Sequence, residues 1–375
     1  MIGGSLPMNR MTRIILIALI ILMTPALFYL SGRSPDEVSL LRKAEYTVQL
    51  PGNKVRCELC PHFCTLSDGQ TGICKVRRNI KGTLYSLIYG QPVALNNDPV
   101  EKKPLFHFHP GTKTLSLATV GCNMNCNFCQ NWEISQATPD SVAPYEMTPA
   151  QVVALAKKNG SDSISFTYTE PAVFFEYMRD IAKLAHEKGL RTILVSCGYI
   201  NEKPLLELAK HLDAANIDLK GFRDEFYRDY TNARLQPVLD TLRTLKTAGV
   251  FVEITNLVIP GANDDHAEIR KMARWIKENL GADTPLHFSR FFPKYKLPAR
   301  SPTPPATLDA ARTVAQKEGL SFVYVGNVST EEGEDTFCPK CGKRLIERNG
   351  FSIDAFRLKG GKCPECGEKI YGRWQ

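Results

Sequence analysis

Along residues 114–326, short apolar, β-rich runs alternate with segments whose apolar positions recur every three to four residues. The runs are 114–120, 163–169, 191–197, 214–219, 250–258, 285–291 and 321–325. Runs with little polar alternation read as strands buried on both faces, as in a parallel sheet. Between them the helical period predicts helices over 174–188, 204–212, 237–248, 266–280 and 308–318. Gly189, Gly249, Gly281 and Gly319 stand just past four of these helices, where a glycine commonly ends the helix. Repeated strand–helix units imply an α/β fold, here a partial (β/α)6 barrel of TIM type over residues 111–330. No early Gly-x-Gly-x-x-Gly marks a dinucleotide-binding fold.

The pattern changes towards both ends. Residues 34–110 are rich in Gly, Pro and Cys with short strand-like runs such as 83–89, and read as a small metal-stapled subdomain. Residues 335–375 carry Cys338-Pro-Lys-Cys341-Gly and Cys363-Pro-Glu-Cys366-Gly on either side of Asn349-Gly350, a strong hairpin turn. Two such knuckles joined by a hairpin predict a zinc ribbon. Residues 1–33 read as a membrane anchor. The run 14–30 holds no charge and lies between Arg10, Arg13 and Arg33, which predicts one N-terminal transmembrane helix at the short end of the spanning range. A cleaved signal peptide is the rival, with no clear cleavage site to support it. The basic residues flanking the run slightly favour a single-pass topology with the C-terminal domain in the cytoplasm.

Composition sharpens this picture. The chain has 375 residues, and an apolar fraction of 43% excludes general disorder. Eleven of its 12 cysteines fall in three groups. A chain with a full core does not need disulfide staples, so the paired spacings favour metal ligation in a reducing compartment. The formal charge of +8 falls to about +3 with two four-thiolate zinc sites and one three-thiolate iron cluster. The basic balance is thus no argument for nucleic acid, and no Lys/Arg run interleaved with aromatics supports one.

The chemistry concentrates at Gly121-Cys122-Asn-Met-Asn-Cys126-Asn-Phe128-Cys129, directly after the first barrel strand. Three thiolates can ligate a cubane cluster and leave one iron open to another ligand. The loop also lies where barrel enzymes place their active sites. This Cys-x3-Cys-x-Phe-Cys segment resembles the radical S-adenosylmethionine (SAM) superfamily. Cys57-Glu-Leu-Cys60-Pro-His-Phe-Cys64 followed by Gly69, Gly72 and Cys74 is similar to the AmmeMemoRadiSam-system radical SAM proteins, relatives of pyruvate formate-lyase activating enzymes. Thr167-Tyr-Thr-Glu170-Pro171, Asp218-Leu-Lys220, Val258-Ile-Pro-Gly261, Ser289-Arg-Phe-Phe-Pro293 and Tyr324-Val-Gly-Asn327-Val fit that group too.

The resemblance implies a [4Fe-4S] cluster on Cys122, Cys126 and Cys129, with SAM on the open iron. It implies reductive cleavage of SAM to a 5′-deoxyadenosyl radical that takes a hydrogen atom from a protein or small-molecule substrate. An electron donor such as flavodoxin or ferredoxin would serve it. Phe128 and Ile259 would pack against the adenine. Asp218, Lys220 and His287 would contact SAM, as would Thr167, Thr169 and Glu170, which replace the usual Gly-Gly-Glu segment. Cys57, Cys60, Cys64 and Cys74 have ligand-like spacing for zinc or a second cluster, and Cys197 reads as core packing. The alternatives are a zinc-scaffold binding protein with an inactive barrel and a thiol–disulfide oxidoreductase, the latter lacking a thioredoxin-like context.

Overall fold

The computed structural model describes residues 41–374, and the described residues from Lys43 onward form one unit. The segment 1–33, with the run 14–30, lies outside the described residues. Among the described residues, no helix is long and apolar enough to cross a membrane. The expectation of a spanning helix and a single-pass membrane location is corrected accordingly. The longest helix among them has 15 residues and carries charge along one face. It reaches about 22 Å, short of a hydrocarbon core of about 30 Å.

The first sheet runs β1 (Thr47–Leu50), β2 (Lys54–Cys57) and β3 (Thr65–Leu66), all antiparallel. A hairpin follows, β4 (Arg77–Ile80) with β5 (Thr83–Ser86). β6 (Ala94–Pro99) then pairs antiparallel with β7 (Lys113–Ala118), from Ala94 opposite Ala118 to Pro99 opposite Lys113. Residues 94–99, grouped in sequence with the Cys-rich segment, therefore belong to the large sheet.

From β7 the chain alternates as its apolar pattern requires. The order is α1 (Pro149–Lys158), β8 (Ser163–Phe166), α2 (Phe175–Glu187), β9 (Arg191–Ser196), α3 (Glu202–Ala209) and β10 (Ala214–Asp218). Then come α4 (Asp224–Thr231), α5 (Leu235–Thr247), β11 (Phe251–Val258), α6 (His266–Leu280), β12 (Leu286–Arg290), α7 (Pro305–Lys317) and β13 (Val323–Gly326). The sheet order is β13-β12-β11-β10-β9-β8-β7-β6, open at its ends, with β7 to β13 parallel. Six crossovers and a seventh parallel strand make an open barrel-like wall.

Local chemistry fixes these boundaries. Thr148 and Gln151 form a reciprocal capping box at the start of α1. The Asp265 side chain accepts from the Glu268 N–H at the start of α6. Gly189, Gly249, Gly281 and Gly319 all take positive φ, as a helix stop needs. The strands are buried on both faces, and their polar side chains pair with one another. The Thr114 and Ser165 hydroxyls lie 2.7 Å apart, and Thr255 donates to Asn216 at 2.8 Å.

The C-terminal segment forms β14 (Thr336–Phe337), β15 (Arg344–Asn349) and β16 (Ser352–Phe356), with the Asn349-Gly350 turn between the last two. Its apolar core is not its own. Cys338, Leu345, Ile346, Leu358, Cys363 and Ile370 share one buried cluster with Phe106, Phe322 and Tyr324. Arg348 lies 4.3 Å above the Phe106 ring and donates to the Phe106 carbonyl at 2.8 Å.

Candidate functional site

An open cleft of about 520 Å³ lies at the C-terminal ends of the parallel strands, lined by Cys122, Cys126, Phe128 and Cys129 on one loop and by Asp218 and Lys220 at the end of β10. The loop leaves β7 through Gly121, whose φ of +96° is open to glycine. A Cβ there would sit 2.6 Å from Val76 Cγ1 and 2.8 Å from the Cys74 carbonyl oxygen. The residue is therefore held to glycine twice, by its backbone angle and by contact with the Cys-rich segment.

The three thiols suit a multi-iron group. Cys126 is buried and Cys122 and Cys129 are half-buried. The Met124 N–H donates to Cys122 Sγ at 3.3 Å, and Cys129 Sγ lies 3.2 Å from the Ser135 hydroxyl. Such N–H and O–H contacts stabilise cluster thiolates. Among the described residues, the sulfurs of Cys122, Cys126 and Cys129 do not gather within 4.8 Å of one another. That spread suits ligands to separate irons rather than to one ion. Burial pushes the Cys126 thiol well above its usual range.

Asp218 and Lys220 face the same cleft, with Lys220 Nζ 2.7 Å from Asp218 Oδ2. Burial works against the Lys220 charge, but Asp218 holds the ammonium well above its ordinary pKa. The same ammonium stands 5.9 Å from the centre of the Phe128 ring, and Phe128 packs beside Phe226.

Thr167, Thr169 and Glu170 also line the cleft, but β8 ends at Phe166. The alternation expected over 163–169 breaks because Tyr168 takes a φ of +64°, so the segment is a turn. The Thr169 hydroxyl donates to the Thr119 carbonyl at 2.9 Å, tying this turn to the cysteine loop. Glu170 is 1% exposed and already occupied. It accepts from the Ala172 N–H, the Ser196 hydroxyl, the Cys197 N–H and the Cys197 thiol at 2.7–2.9 Å. Cys197, read from sequence as core packing, is buried but stands on the cleft wall.

Ile259 and His287 are not among the residues that line the cleft. Ile259 is fully buried in the main core. His287 Nε2 lies 2.6 Å from Glu253 Oε2, and its ring packs edge-on against Phe106 and stacks on Tyr324. Glu253 and two aromatic rings therefore enclose the imidazole.

Sequence reasoning missed one wall. Lys102 and Lys103, just after β6, reach the cleft. Lys103 Nζ bonds Asp98 Oδ2 at 2.6 Å and lies 4.5 Å above the Tyr168 ring, and the Tyr168 hydroxyl donates to the same carboxylate. Burial draws the Lys103 ammonium down to about 8, with Asp98 opposing. These groups meet only because β6 joins the large sheet, and no local spacing announces them.

At the other end of the chain, the sulfurs of Cys338, Cys341, Cys363 and Cys366 all lie within 4.8 Å of one another. Two pairs stand 3.6 and 3.7 Å apart. A tetrahedral ion with sulfur ligands at about 2.3 Å needs sulfurs about 3.8 Å apart, so this quartet can hold a metal.

Residues 116–274 match the radical SAM superfamily. The chain is 46% identical over 332 residues to an uncharacterized protein of Methanocaldococcus jannaschii, covering 88% of this chain and 99% of that protein. It is 26% identical over 174 residues to a pyruvate formate-lyase-activating enzyme of Clostridium pasteurianum, covering 45% of this chain and 71% of that enzyme. The crystal structure of a domain of pyruvate-formate lyase-activating enzyme from Bacteroides vulgatus overlays with a TM-score of 0.39 at 17% identity, covering 44% of this chain and all of that one.

Proposed function

This chain belongs to the radical SAM superfamily and is an enzyme of that class, and we propose that it abstracts a hydrogen atom from a protein or small-molecule substrate in the cleft above β7 to β12. The observation that carries the reading is the gathering of Cys122, Cys126, Cys129, Phe128, Asp218 and Lys220 on one cleft. A [4Fe-4S] cluster held there would supply the one electron that reductive cleavage of SAM requires.

The chain's own residues hold and orient the reactants. Cys122, Cys126 and Cys129 would each ligate one iron. Phe128 offers an apolar face to the adenine, and the Asp218–Lys220 pair offers an acceptor and a cation to the polar groups of SAM. Thr167 and Thr169 stand where backbone glycines serve in the activating enzymes. Glu170 acts on the wall itself, holding the turn to Ser196 and Cys197. Lys102 and Lys103, both paired with Asp98, stand on the cleft wall at the β6 side. A low-potential protein such as a flavodoxin or ferredoxin delivers the electron, and zinc occupies the C-terminal quartet.

The test is anaerobic reconstitution of the full chain and assay of 5′-deoxyadenosine. Cys122→Ala, Cys126→Ala and Cys129→Ala should each abolish its formation, because each removes an iron ligand. Undiminished formation in any of the three would refute the assignment. Isotope transfer from labelled candidate substrates into 5′-deoxyadenosine then identifies the hydrogen donor.

A further inference from the structure

Four more thiols wall a second pocket. Cys57, Cys60, Cys64 and Cys74 surround a small pocket of about 20 Å³, with His62 and Arg77 on its walls. Their spacing in sequence suits zinc or an iron–sulfur cluster equally. The geometry separates the two. Four thiolates on one zinc ion stand about 3.8 Å apart, and the C-terminal quartet has that spacing. Among the described residues, no three of these N-terminal sulfurs lie within 4.8 Å of one another.

The backbone holds them apart. Cys57 ends β2, and its N–H donates to the Cys64 carbonyl at 2.9 Å across the β2–β3 turn. Gly72, whose N–H bonds the Arg77 carbonyl, lies beside Cys64 and Cys74. A Cβ at Gly72 would stand 3.7 Å from Cys64 Sγ and 3.8 Å from Cys74 Sγ. Thiolates not gathered closely enough to share one ion suit separate metal atoms, and a cubane provides one at each corner.

Arg77 supplies a second, independent pointer. It is 1% exposed, and its Nη1 stands 3.9 Å from Cys57 Sγ while Nη2 pairs with the equally buried Glu176. Its Nε–H has no protein partner. A buried, orphaned donor on the wall of a thiolate pocket suits the inorganic sulfides of a cluster, which accept N–H bonds.

We propose that Cys57, Cys60, Cys64 and Cys74 hold a second iron–sulfur cluster beside the first. Its role, though not its presence, rests on the radical SAM reading. His62 Nε2 lies 2.7 Å from the carbonyl oxygen of Asn123, the residue after Cys122, and Asn123 also lines the second pocket. Cys74 packs against Gly121 on the other side. Asn123 of the second pocket thus lies in sequence between Cys122 and Met124, which line the cleft. A cluster held there would take one electron from a low-potential donor protein and pass it to the first, returning to its oxidised state. No proton or bond change is required in this step.

The test uses the full chain carrying Cys122→Ala, Cys126→Ala and Cys129→Ala together, which leaves the second pocket intact. After anaerobic reconstitution it should retain about four irons and about one zinc, against about eight irons in the unsubstituted chain. Dithionite should give it the electron paramagnetic resonance signal of a reduced cluster, and Arg77→Lys should shift that signal. A triple variant with zinc but no iron, or with neither, would overturn the proposal while leaving the first cluster untouched. Equal iron in the triple variant and the unsubstituted chain would instead uphold the second cluster and refute the first.

Discussion

Gly121→Ala tests whether the contact between the cysteine loop and the Cys-rich segment holds the site together. Two costs are expected. An L-residue at a φ of +96° costs about 1–2 kcal/mol in backbone strain. The new methyl group also meets Val76 Cγ1 at 2.6 Å and the Cys74 carbonyl oxygen at 2.8 Å. The carbonyl belongs to backbone that cannot rotate aside, and overpacking of this kind adds about 1–3 kcal/mol. Gly249→Ala is the internal control. Gly249 has a φ of +82° with nothing within 4 Å of its Cβ position, so only the backbone cost applies. Urea denaturation of the two variants side by side should show Gly121→Ala less stable than Gly249→Ala by about 1–3 kcal/mol. Iron content should fall in the first variant alone. Equal midpoints and full iron in both would refute the argument that the two segments are in rigid contact.

The remaining expectations concern three other sites. Hydrogen bonds from Lys103, Tyr168 and Lys102 hold the Asp98 carboxyl below its usual range, although burial opposes them. The unfolded chain therefore binds more protons below about pH 4, and stability is lost as pH falls through that window. Asp98→Asn should flatten the acid limb of the stability–pH curve, and an unchanged slope would contradict the assignment. Cys197→Ala leaves Glu170 with its bonds to Ser196, the Cys197 N–H and Ala172. It should cost about 1 kcal/mol and preserve SAM cleavage in a 5′-deoxyadenosine assay; a tenfold loss would give the thiol a direct role. Chelator treatment of the full chain should remove about one zinc and abolish hydrogen-exchange protection over β15 and β16. Protection that survives metal loss would show that the ribbon folds on packing alone.

Periodicity made the strand–helix alternation legible because the parallel strands are buried on both faces and the helices end at glycines. The predicted helix over 266–280 coincides with α6. Elements with weaker patterns escaped. β6 reads Ala-Leu-Asn-Asn-Asp-Pro, too polar for a strand signal, and it forms because β7 offers an edge. The α4 segment is dominated by charge, and its apolar face is only Phe226 and Tyr227. At the site, the cysteine loop and the Asp218-x-Lys220 pair were visible because their chemistry lies in short spacings. Lys103, Asp98 and Tyr168 were not, since Asp98 and Tyr168 are 70 positions apart. The pairing of His287 with Glu253 was likewise hidden, because a histidine on a strand gives no sign in sequence of its partner 34 positions away.

The cluster joining Phe106, Phe322 and Tyr324 to Cys338 and Cys363 would tie a metal held by the quartet to the solubility of the whole chain. Phe322 and Tyr324 lie at β13, the last strand in the open sheet order. A ribbon unfolded by loss of that metal would leave this apolar surface uncovered, and uncovered surface beside a sheet edge templates association between chains. Metal starvation would therefore register first as aggregation, before any change in the cleft, and a cell short of that ion would lose the enzyme by precipitation rather than by inactivation.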